Sequence, residues 1–185
     1  MTAKLRKDLL VWVDLEMTGL DPKKCTILEI GVVITDNELN IVAQGPCLAV
    51  CHSKKTLAGM EAWSRFHHGK SGLTRECQQS AFSLNKAEAA VLEFIKSYCK
   101  PKTAPLCGNT IWQDRRFLVK YMPKLESYLH YRVIDVSSVK ELVTRWYGSE
   151  HKMPRDKKQT HRVHEDILES IEELKFYREH FLRIE

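Results

Sequence analysis

An apolar run near the N-terminus ends in two acidic residues, and this junction is the strongest constraint on the fold. The run extends from Leu9 to Val13, and Asp14 and Glu16 follow it two positions apart. In a β-strand, residues i and i+2 point to the same face, so both carboxylates are expected to project together. Like charges this close repel each other and raise each other's pKa. Because hard cations such as Mg²⁺ and Mn²⁺ prefer clustered carboxylate oxygens, we predict a metal site at this strand end.

Alternating and β-branched residues predict five strands. The expected strands are Leu9–Glu16, Thr26–Thr35, Ile41–Val50, Pro105–Gly108 and His130–Val136. A turn is expected at Asp36–Asn40, so the first three strands form an antiparallel meander.

Helical spacing of apolar residues predicts helices in the rest of the chain. They are expected over Leu57–His67, from Asn85, from about Gln113, over Ser138–Tyr147 and from Val163 towards the C-terminus. Asn85 and Glu88 are spaced as a capping box, which marks the start of the second helix. Three strands followed by alternating helices and strands predict an α/β fold, with a mixed sheet covered by helices.

Length and composition fit one domain. The chain has 185 residues, and 43% of them are hydrophobic, enough for a full core. Residues 1–8 are expected to lead into the first strand, and the polar, basic residues 148–160 to form a mobile loop. No stretch of about 18 apolar residues occurs, so no membrane span is expected.

The cysteines bear on the cellular compartment, and the net charge bears on the class of binding partner. None of the six cysteines forms a CxxC pair, and without a secretory signal they are expected to be reduced thiols of an intracellular protein. The net charge of +5 leans towards acidic partners such as nucleic acid, although solvated helix faces explain most of the Lys and Arg.

Two further acidic residues lie at the starts of predicted helices. Asp114 lies near the start of the helix after the fourth strand, and Asp166 near the start of the last helix. Ligand crevices in α/β sheets are built from such strand ends and helix starts. Taken singly, Asp14 and Glu16 could form a solvated turn, and the other two could favour helix N-termini. Their convergence on one edge of one sheet favours a shared site.

Two histidines near Asp166 are candidate proton acceptors. His161 is expected on the loop that enters the last helix, and imidazole accepts protons near neutral pH. If this helix starts near Val163, His164 and Asp166 differ by about 200° and point to opposite sides. His164 is therefore expected to be an exposed helix residue. The alternative for His161 is a loop histidine without a partner.

Four blocks of the sequence resemble the oligoribonuclease family, which belongs to the DEDD superfamily of 3′→5′ exonucleases with an added histidine. The blocks are DLEMTGLD, GNTIWQDRRFLVKYMP, HYRVIDVSSVKEL and HRVHEDILESIEELKFYR. The similarity extends from about Leu9 to the C-terminus. The resemblance implies a ribonuclease-H-like fold and hydrolysis of very short RNA from the 3′ end, two-nucleotide RNA above all.

The resemblance also implies roles for individual residues. The resemblance implies that His161 is the general base and that the site holds two divalent ions, Mg²⁺ or Mn²⁺. The implied metal ligands are Asp14, Glu16, Asp114 and Asp166. Two positions depart from the family pattern: Val163 stands where a small residue is common, and His164 where an apolar residue is common. His164 is therefore a second candidate base.

The preference for short RNA implies further contacts. In the family, a cap closes over the 5′ phosphate, and Leu20 and Trp63 match apolar residues that wedge between and stack on the two bases. The positions that match the cap are His68, Thr110, Tyr131 and Arg132. The resemblance implies a homodimer in which Tyr131 reaches the partner's site. Alternatively, HHGKSG could be a solvated loop and Trp63 a core residue.

The sequence therefore predicts a dimeric, metal-dependent 3′→5′ exoribonuclease of the cytoplasm, with an organellar form left open. One alternative is a related exonuclease that trims longer RNA or DNA 3′ ends. Another is a nuclease-like fold that only binds nucleic acid. The presence of all four acids and His161 favours an enzyme over the second alternative.

Overall fold

A five-stranded mixed sheet lies at the centre of the protein. The computed structural model describes residues 8–153 and 162–182. The strands are β1 (Leu9–Met17), β2 (Ile27–Asp36), β3 (Ile41–Ala49), β4 (Leu106–Gly108) and β5 (Val133–Asp135). Their order is β3-β2-β1-β4-β5. Strands β1, β2 and β3 are antiparallel neighbours, whereas β4 is parallel to both β1 and β5. The predicted mixed sheet and meander are confirmed.

Helices cover both faces of this sheet. They are α1 (Lys54–Ala58), α2 (Ala62–Lys70), α3 (Leu73–Gln79), α4 (Leu84–Lys96), α5 (Ile111–Tyr121), α6 (Pro123–Tyr128), α7 (Val136–Tyr147) and α8 (Val163–His180). A short 3₁₀ helix, Ser149–His151, follows α7. Throughout residues 8–153 and 162–182, no helix is long and apolar enough to cross a membrane.

The prediction of one helix over Leu57–His67 is wrong, because the chain turns there between α1 and α2. Gly59 ends α1 and donates its N–H back into that helix. Arg65 then donates two hydrogen bonds of 2.9 Å, to the carbonyls of Ala58 and Met60. These bonds satisfy carbonyl groups that the break exposes. Helices α3 and α6 were not predicted at all.

The predicted capping box at the start of α4 is also wrong. Ser83 is the N-cap, and its side chain accepts a hydrogen bond from a first-turn amide. Asn85 lies inside the helix. The carboxylate of Glu88 is instead directed to another helix, where it accepts hydrogen bonds of 2.7 and 3.1 Å from the amides of Lys124 and Leu125. It therefore caps α6, a long-range role that local spacing does not show.

Other boundaries differ by a few residues. Strand β5 is shorter than the predicted His130–Val136, because Asp135 accepts a hydrogen bond from the Ser137 amide and starts α7 there. Residues 154–160 of the predicted mobile loop lie outside the described residues, as do residues 1–7 of the predicted lead-in.

Side chains of β1 alternate between two cores, and this alternation aims the acids. Val11 and Val13 belong to the core under α4, α5 and α6. Leu10 and Trp12 belong to the core under α7 and α8. With a period of two residues, Asp14 continues the Leu10–Trp12 face. Both acids of β1 therefore point towards α8.

Close packing of α8 on the sheet depends on Gly31 in β2. A Cβ atom at this position would lie 2.7 Å from Cγ2 of Val163 and 3.2 Å from Cδ1 of Ile167. Gly31 is also the cross-strand partner of Asp14. Val163 is therefore accommodated because β2 carries no side chain at position 31.

Candidate active site

Three of the four predicted acidic ligands meet at the carboxyl end of β1. Asp14 and Glu16 project from β1, and Asp166 lies in the first turn of α8. One carboxylate oxygen of each residue lies within 4.8 Å of the other two. Since the oxygens come from two separate elements, the cluster forms only when α8 packs on the sheet.

Asp114 of α5 adjoins this cluster. It is buried, and its Oδ1 accepts a hydrogen bond of 3.0 Å from the backbone amide of Leu15. Leu15 lies between Asp14 and Glu16 in β1. The fourth predicted acid is therefore held against the strand segment that carries the first two, although it is not one of the three whose oxygens converge within 4.8 Å.

Burial and mutual repulsion raise the pKa values of these acids. Burial, and then the charges of Asp114, Glu16 and Asp166, raise the pKa of Asp14 well above its usual range. Burial, followed by the charge of Asp166, raises the pKa of Glu16 to about 9. Burial raises the pKa of Asp114 to about 7, against the lowering effect of its hydrogen bond to Leu15. Without compensating cations, Asp14 and Glu16 hold their protons at neutral pH, so the donor set fits hard divalent cations.

A cavity of about 320 Å³ opens beside the acids. It is lined by Asp14, Asn109, Thr110, Ser137, Lys140, Asp166, Glu169 and Ser170. The hydroxyl oxygens of Thr110 and Ser137 lie 3.0 Å apart. Carboxylates that can hold cations thus share a cavity with hydroxyl and ammonium donors, a combination that suits a phosphate-bearing ligand.

Thr110 is held in a rare backbone conformation beside this cavity. Its φ of 53° and ψ of 31° lie in the left-handed region, which a β-branched residue seldom adopts. Its amide donates hydrogen bonds to Oδ1 of Asp135 at 3.0 Å and to Oγ of Ser137 at 2.9 Å. The start of α7 therefore fixes the start of α5, and strain of this kind clusters at functional sites.

The two predicted base-stacking residues are exposed. Leu20 is 64% exposed and Trp63 is 57% exposed, so the alternative of Trp63 as a core residue is excluded. The carbonyl of Leu20 accepts a hydrogen bond of 2.5 Å from the Gln113 side chain, which ties the loop after β1 to α5.

His68 lies in α2 and is fully buried, so the alternative of a solvated loop at this position is wrong. Its Nε2 lies 3.0 Å from the carbonyl oxygen of Met17 and 3.8 Å from Oε2 of Glu16. The structure therefore places His68 directly beside one of the acids.

Tyr131 and Arg132 lie elsewhere. Tyr131 is 69% exposed and lines a separate cavity of about 460 Å³ with Arg115 and His130. Arg115 donates a hydrogen bond to the carbonyl of Tyr131, and the Arg132 guanidinium lies 5.4 Å from the Tyr131 ring centre. Among the described residues of one chain, these two predicted cap residues do not line the cavity that contains the acids.

The two histidines near Asp166 have different outcomes. His161 lies outside the described residues. Helix α8 begins at Val163, as predicted, but His164 is half-buried in its first turn, so the prediction of an exposed residue there is wrong.

Sequence reasoning missed several polar residues around the cavity. Asn109 donates to Oγ of Ser170 at 2.9 Å and accepts from Oγ of Ser137 at 3.0 Å. Lys140 pairs with the buried Glu173 at 3.0 Å. The i, i+3 spacing of Ser137 and Lys140 at the start of α7 is a signal that could have indicated a shared face.

Comparisons with known proteins agree with this geometry. The RNase_T family, described as exonuclease, matches residues 11–174. An oligoribonuclease from Pseudomonas savastanoi pv. phaseolicola is 50% identical over 177 residues, which cover 96% of this chain and 98% of that protein. The chain belongs to the oligoribonuclease family. Oligoribonucleases from Dichelobacter nodosus, 50% identical over 94% of this chain and 95% of that protein, and Pseudomonas aeruginosa PAO1, 46% identical over 95% and 97%, are further members.

Solved structures show the shared fold. The zinc-bound complex of Escherichia coli exonuclease I with single-stranded DNA has a TM-score of 0.74 at 13% identity, covering 96% of this chain and 42% of that one. Exonuclease I from Methylocaldum szegediense has a TM-score of 0.71 at 14% identity, covering 95% and 41%. The chain thus spans about two fifths of these structures. The expected ribonuclease-H-like fold of this oligoribonuclease-family member is confirmed.

Proposed function

We propose that this protein is a 3′→5′ exoribonuclease that hydrolyses short oligoribonucleotides, dinucleotides above all, to 5′-mononucleotides. One observation carries the proposal: Asp14, Glu16 and Asp166 converge within 4.8 Å, with Asp114 beside them, in a member of the oligoribonuclease family.

The acids would hold two divalent cations, Mg²⁺ or Mn²⁺. When bound, such cations lower the pKa of an attacking water and stabilise the charge on the leaving oxygen. Asp14 and Glu16 would be oriented by the strand, and Asp166 by the first turn of α8. The hydrogen bond from Leu15 would orient Asp114. Because these positions are fixed before substrate arrives, little reorganisation is needed during the reaction.

His161 would accept the proton of the attacking water, a contribution typically worth ~10²–10⁴ in rate. This role follows from the family pattern, with His164 in α8 as the second candidate base.

Exposed side chains, some of them outside the cavity of the acids, suit a short substrate. Leu20 and Trp63 offer apolar surfaces on which two bases can stack without sequence preference. Thr110 would donate its hydroxyl to the 5′ phosphate. Arg132 suits the same phosphate because its planar guanidinium can donate two hydrogen bonds at once. Tyr131 is the remaining exposed member of the proposed cap, and His68 is a proposed member whose side chain is fully buried in one chain.

A homodimer is part of the proposal, because apolar side chains stay exposed near one edge of the sheet. Strand β5 is one of the two edge strands of the described sheet, and Val133 in it and Tyr131 just before it are exposed. Trp112 and Leu142 are exposed as well, and they share a cavity of about 540 Å³. A second copy placed on this edge would cover these residues and bring a second Tyr131 into reach.

A cytoplasmic location is proposed on the cysteines, with an organellar location as the alternative. All six cysteines are free thiols, which suits a reducing compartment.

Product analysis tests the direction and the chemistry. A pentaribonucleotide labelled at its 5′ end should yield a ladder that shortens one nucleotide at a time, and the same RNA labelled at its 3′ end should release labelled 5′-mononucleotide first. Both reactions should require Mg²⁺ or Mn²⁺ and stop in excess chelator. Full activity in chelator, or release of the 5′ nucleotide first, would overturn the proposal. Binding without cleavage would instead support a fold that only binds nucleic acid.

A further inference from the structure

Behind the acid cluster, a buried glutamate and an arginine form an ion pair. The Glu29 side chain in β2 is 2% exposed. The Arg162 guanidinium contacts it at 2.8 Å through Nη2 and at 3.2 Å through Nε. The same guanidinium contacts Glu76 of α3 at 2.9 Å and 2.8 Å. Glu76 is the outer partner, since its side chain is 45% exposed.

This pair connects the two elements that supply the converging acids. Glu29 is the cross-strand partner of Glu16 in the antiparallel pairing of β1 and β2, so both side chains lie on the same face of the sheet. Arg162 is the N-cap of α8, and its carbonyl accepts the amide hydrogen of Asp166 at 3.1 Å. A guanidinium held by Glu29 therefore fixes the turn that carries Asp166.

The charge balance gives the pair a second effect. Like charges directly across two strands destabilise the pairing, and Glu29 would add one more carboxylate next to Glu16. Arg162 neutralises Glu29. The planar fork of arginine can hold Glu29 and Glu76 at once, which the single ammonium group of lysine cannot do.

We propose that the Arg162–Glu29 pair positions Asp166 against Glu16 and thereby sets the affinity of the site for divalent cations. Arg162 and Glu29 are positioning residues, since they act through the acids and not on the substrate. The inference rests on the metal site in the proposed function.

The test is Mn²⁺ binding to the full-length protein, measured from the electron paramagnetic resonance signal of the free ion. Binding is preferable to turnover because His161 precedes Arg162 in the chain, so a substitution could alter turnover by another route. Arg162→Lys keeps the charge and loses the fork, and Glu29→Gln keeps the shape and loses the charge. Each should weaken Mn²⁺ binding by about 10- to 100-fold, the usual effect of removing a residue that orients metal ligands. The control Glu76→Gln, which removes only the exposed partner, should weaken it by less than about fivefold.

A double variant separates positioning from stability. Glu29→Met alone or Arg162→Met alone leaves one charge of the pair without its partner and should lower the thermal midpoint. The double variant Glu29→Met with Arg162→Met leaves neither charge buried alone, so its midpoint should be close to that of the unaltered protein. Mn²⁺ binding should stay about 10- to 100-fold weaker, because nothing orients the first turn of α8. The positioning role would be overturned if Arg162→Lys and Glu29→Gln bound Mn²⁺ as tightly as the unaltered protein, or if the double variant regained full Mn²⁺ affinity. Either result would leave the metal site itself standing. Absence of Mn²⁺ binding by the unaltered protein would overturn the metal site and this inference together.

Discussion

The chemistry of single residues depends on where β1 places them. Asp14 and Glu16 could be predicted as a pair from their spacing, because the two-residue period of a strand is rigid. The position of Asp166 could be predicted only as a helix start. Glu29 gave no signal, since one acid within a buried strand has no local pattern, and its partner Arg162 is 133 residues away.

Replacing Asp14 by asparagine should have opposite effects on activity and on metal-free stability. Activity should fall by on the order of 10²-fold or more, because a metal ligand is lost. In chelator the thermal midpoint should rise, because one buried, uncompensated carboxylate is removed. Activity assays and thermal melts with and without Mg²⁺ check both effects, with the exposed Glu93→Gln as control. A lower thermal midpoint of Asp14→Asn in chelator would contradict the claim that Asp14 destabilises the metal-free protein.

The raised pKa values predict a pH-dependent stability in the absence of metal. The pKa of Glu16 rises from its ordinary 4.5 to about 9, and that of Asp114 from 3.8 to about 7. A raised folded-state pKa means that the folded protein binds protons more tightly than the unfolded chain. The stability from these groups is therefore full below about pH 4 and is lost as pH rises through 7 towards 9.

The measurement is the thermal midpoint between pH 5 and 9, taken in chelator and in Mg²⁺. The difference between the two curves should widen as pH rises, because the cation compensates the carboxylates that ionise. If the difference between the midpoints in Mg²⁺ and in chelator stayed constant from pH 5 to 9, ionisation of the acids would not be linked to metal binding.

At the scale of elements, the long strands could be predicted almost to the residue and the short helices could not. Strands β1 and β2 are buried on both faces, so their apolar pattern is strong. The break between α1 and α2 depends on contacts from Arg65, and α6 depends on Glu88, a residue of another helix. Such contacts form only in the folded chain, so local sequence patterns do not contain them.

The packing of α8 predicts a steric coupling between Gly31 and Val163. Gly31→Ala should destabilise the protein by about 1–3 kcal/mol, because the new methyl group meets Cγ2 of Val163. It should also weaken Mn²⁺ binding, since the displaced helix carries Asp166. Chemical denaturation of Gly31→Ala, Val163→Ala and the double variant measures the coupling. Equal destabilisation by Gly31→Ala in both backgrounds would mean that the two residues are independent.

At the scale of the whole molecule, the members of the proposed cap are divided between separate cavities of one chain. Thr110 lines the cavity of the acids, whereas Tyr131 lines another. A second copy could join them, and no pattern within a single sequence describes how two surfaces meet. The sequence therefore indicated a dimer only through the family resemblance.

Mixed dimers test whether Tyr131 acts across subunits. Asp14→Asn and Tyr131→Ala should each be weak on dinucleotides alone. In a mixed dimer, the Asp14→Asn chain would supply Tyr131 to the intact acids of its partner. After subunit exchange in an equal mixture, about one quarter of the sites should be complete, so activity should rise above the mean of the separate variants. Activity equal to that mean would show that Tyr131 serves its own subunit or none.

This member of the oligoribonuclease family is expected to act fastest on the shortest RNA. The direct measurement is the initial rate of hydrolysis in Mg²⁺ for 5′-phosphorylated RNAs of two to about ten nucleotides, with matched DNAs in parallel. We expect the highest rate for the dinucleotide, because a longer strand must push its next nucleotide into the cap over the 5′ phosphate. Equal rates for RNAs of two and ten nucleotides would contradict the cap and leave a general 3′ exonuclease.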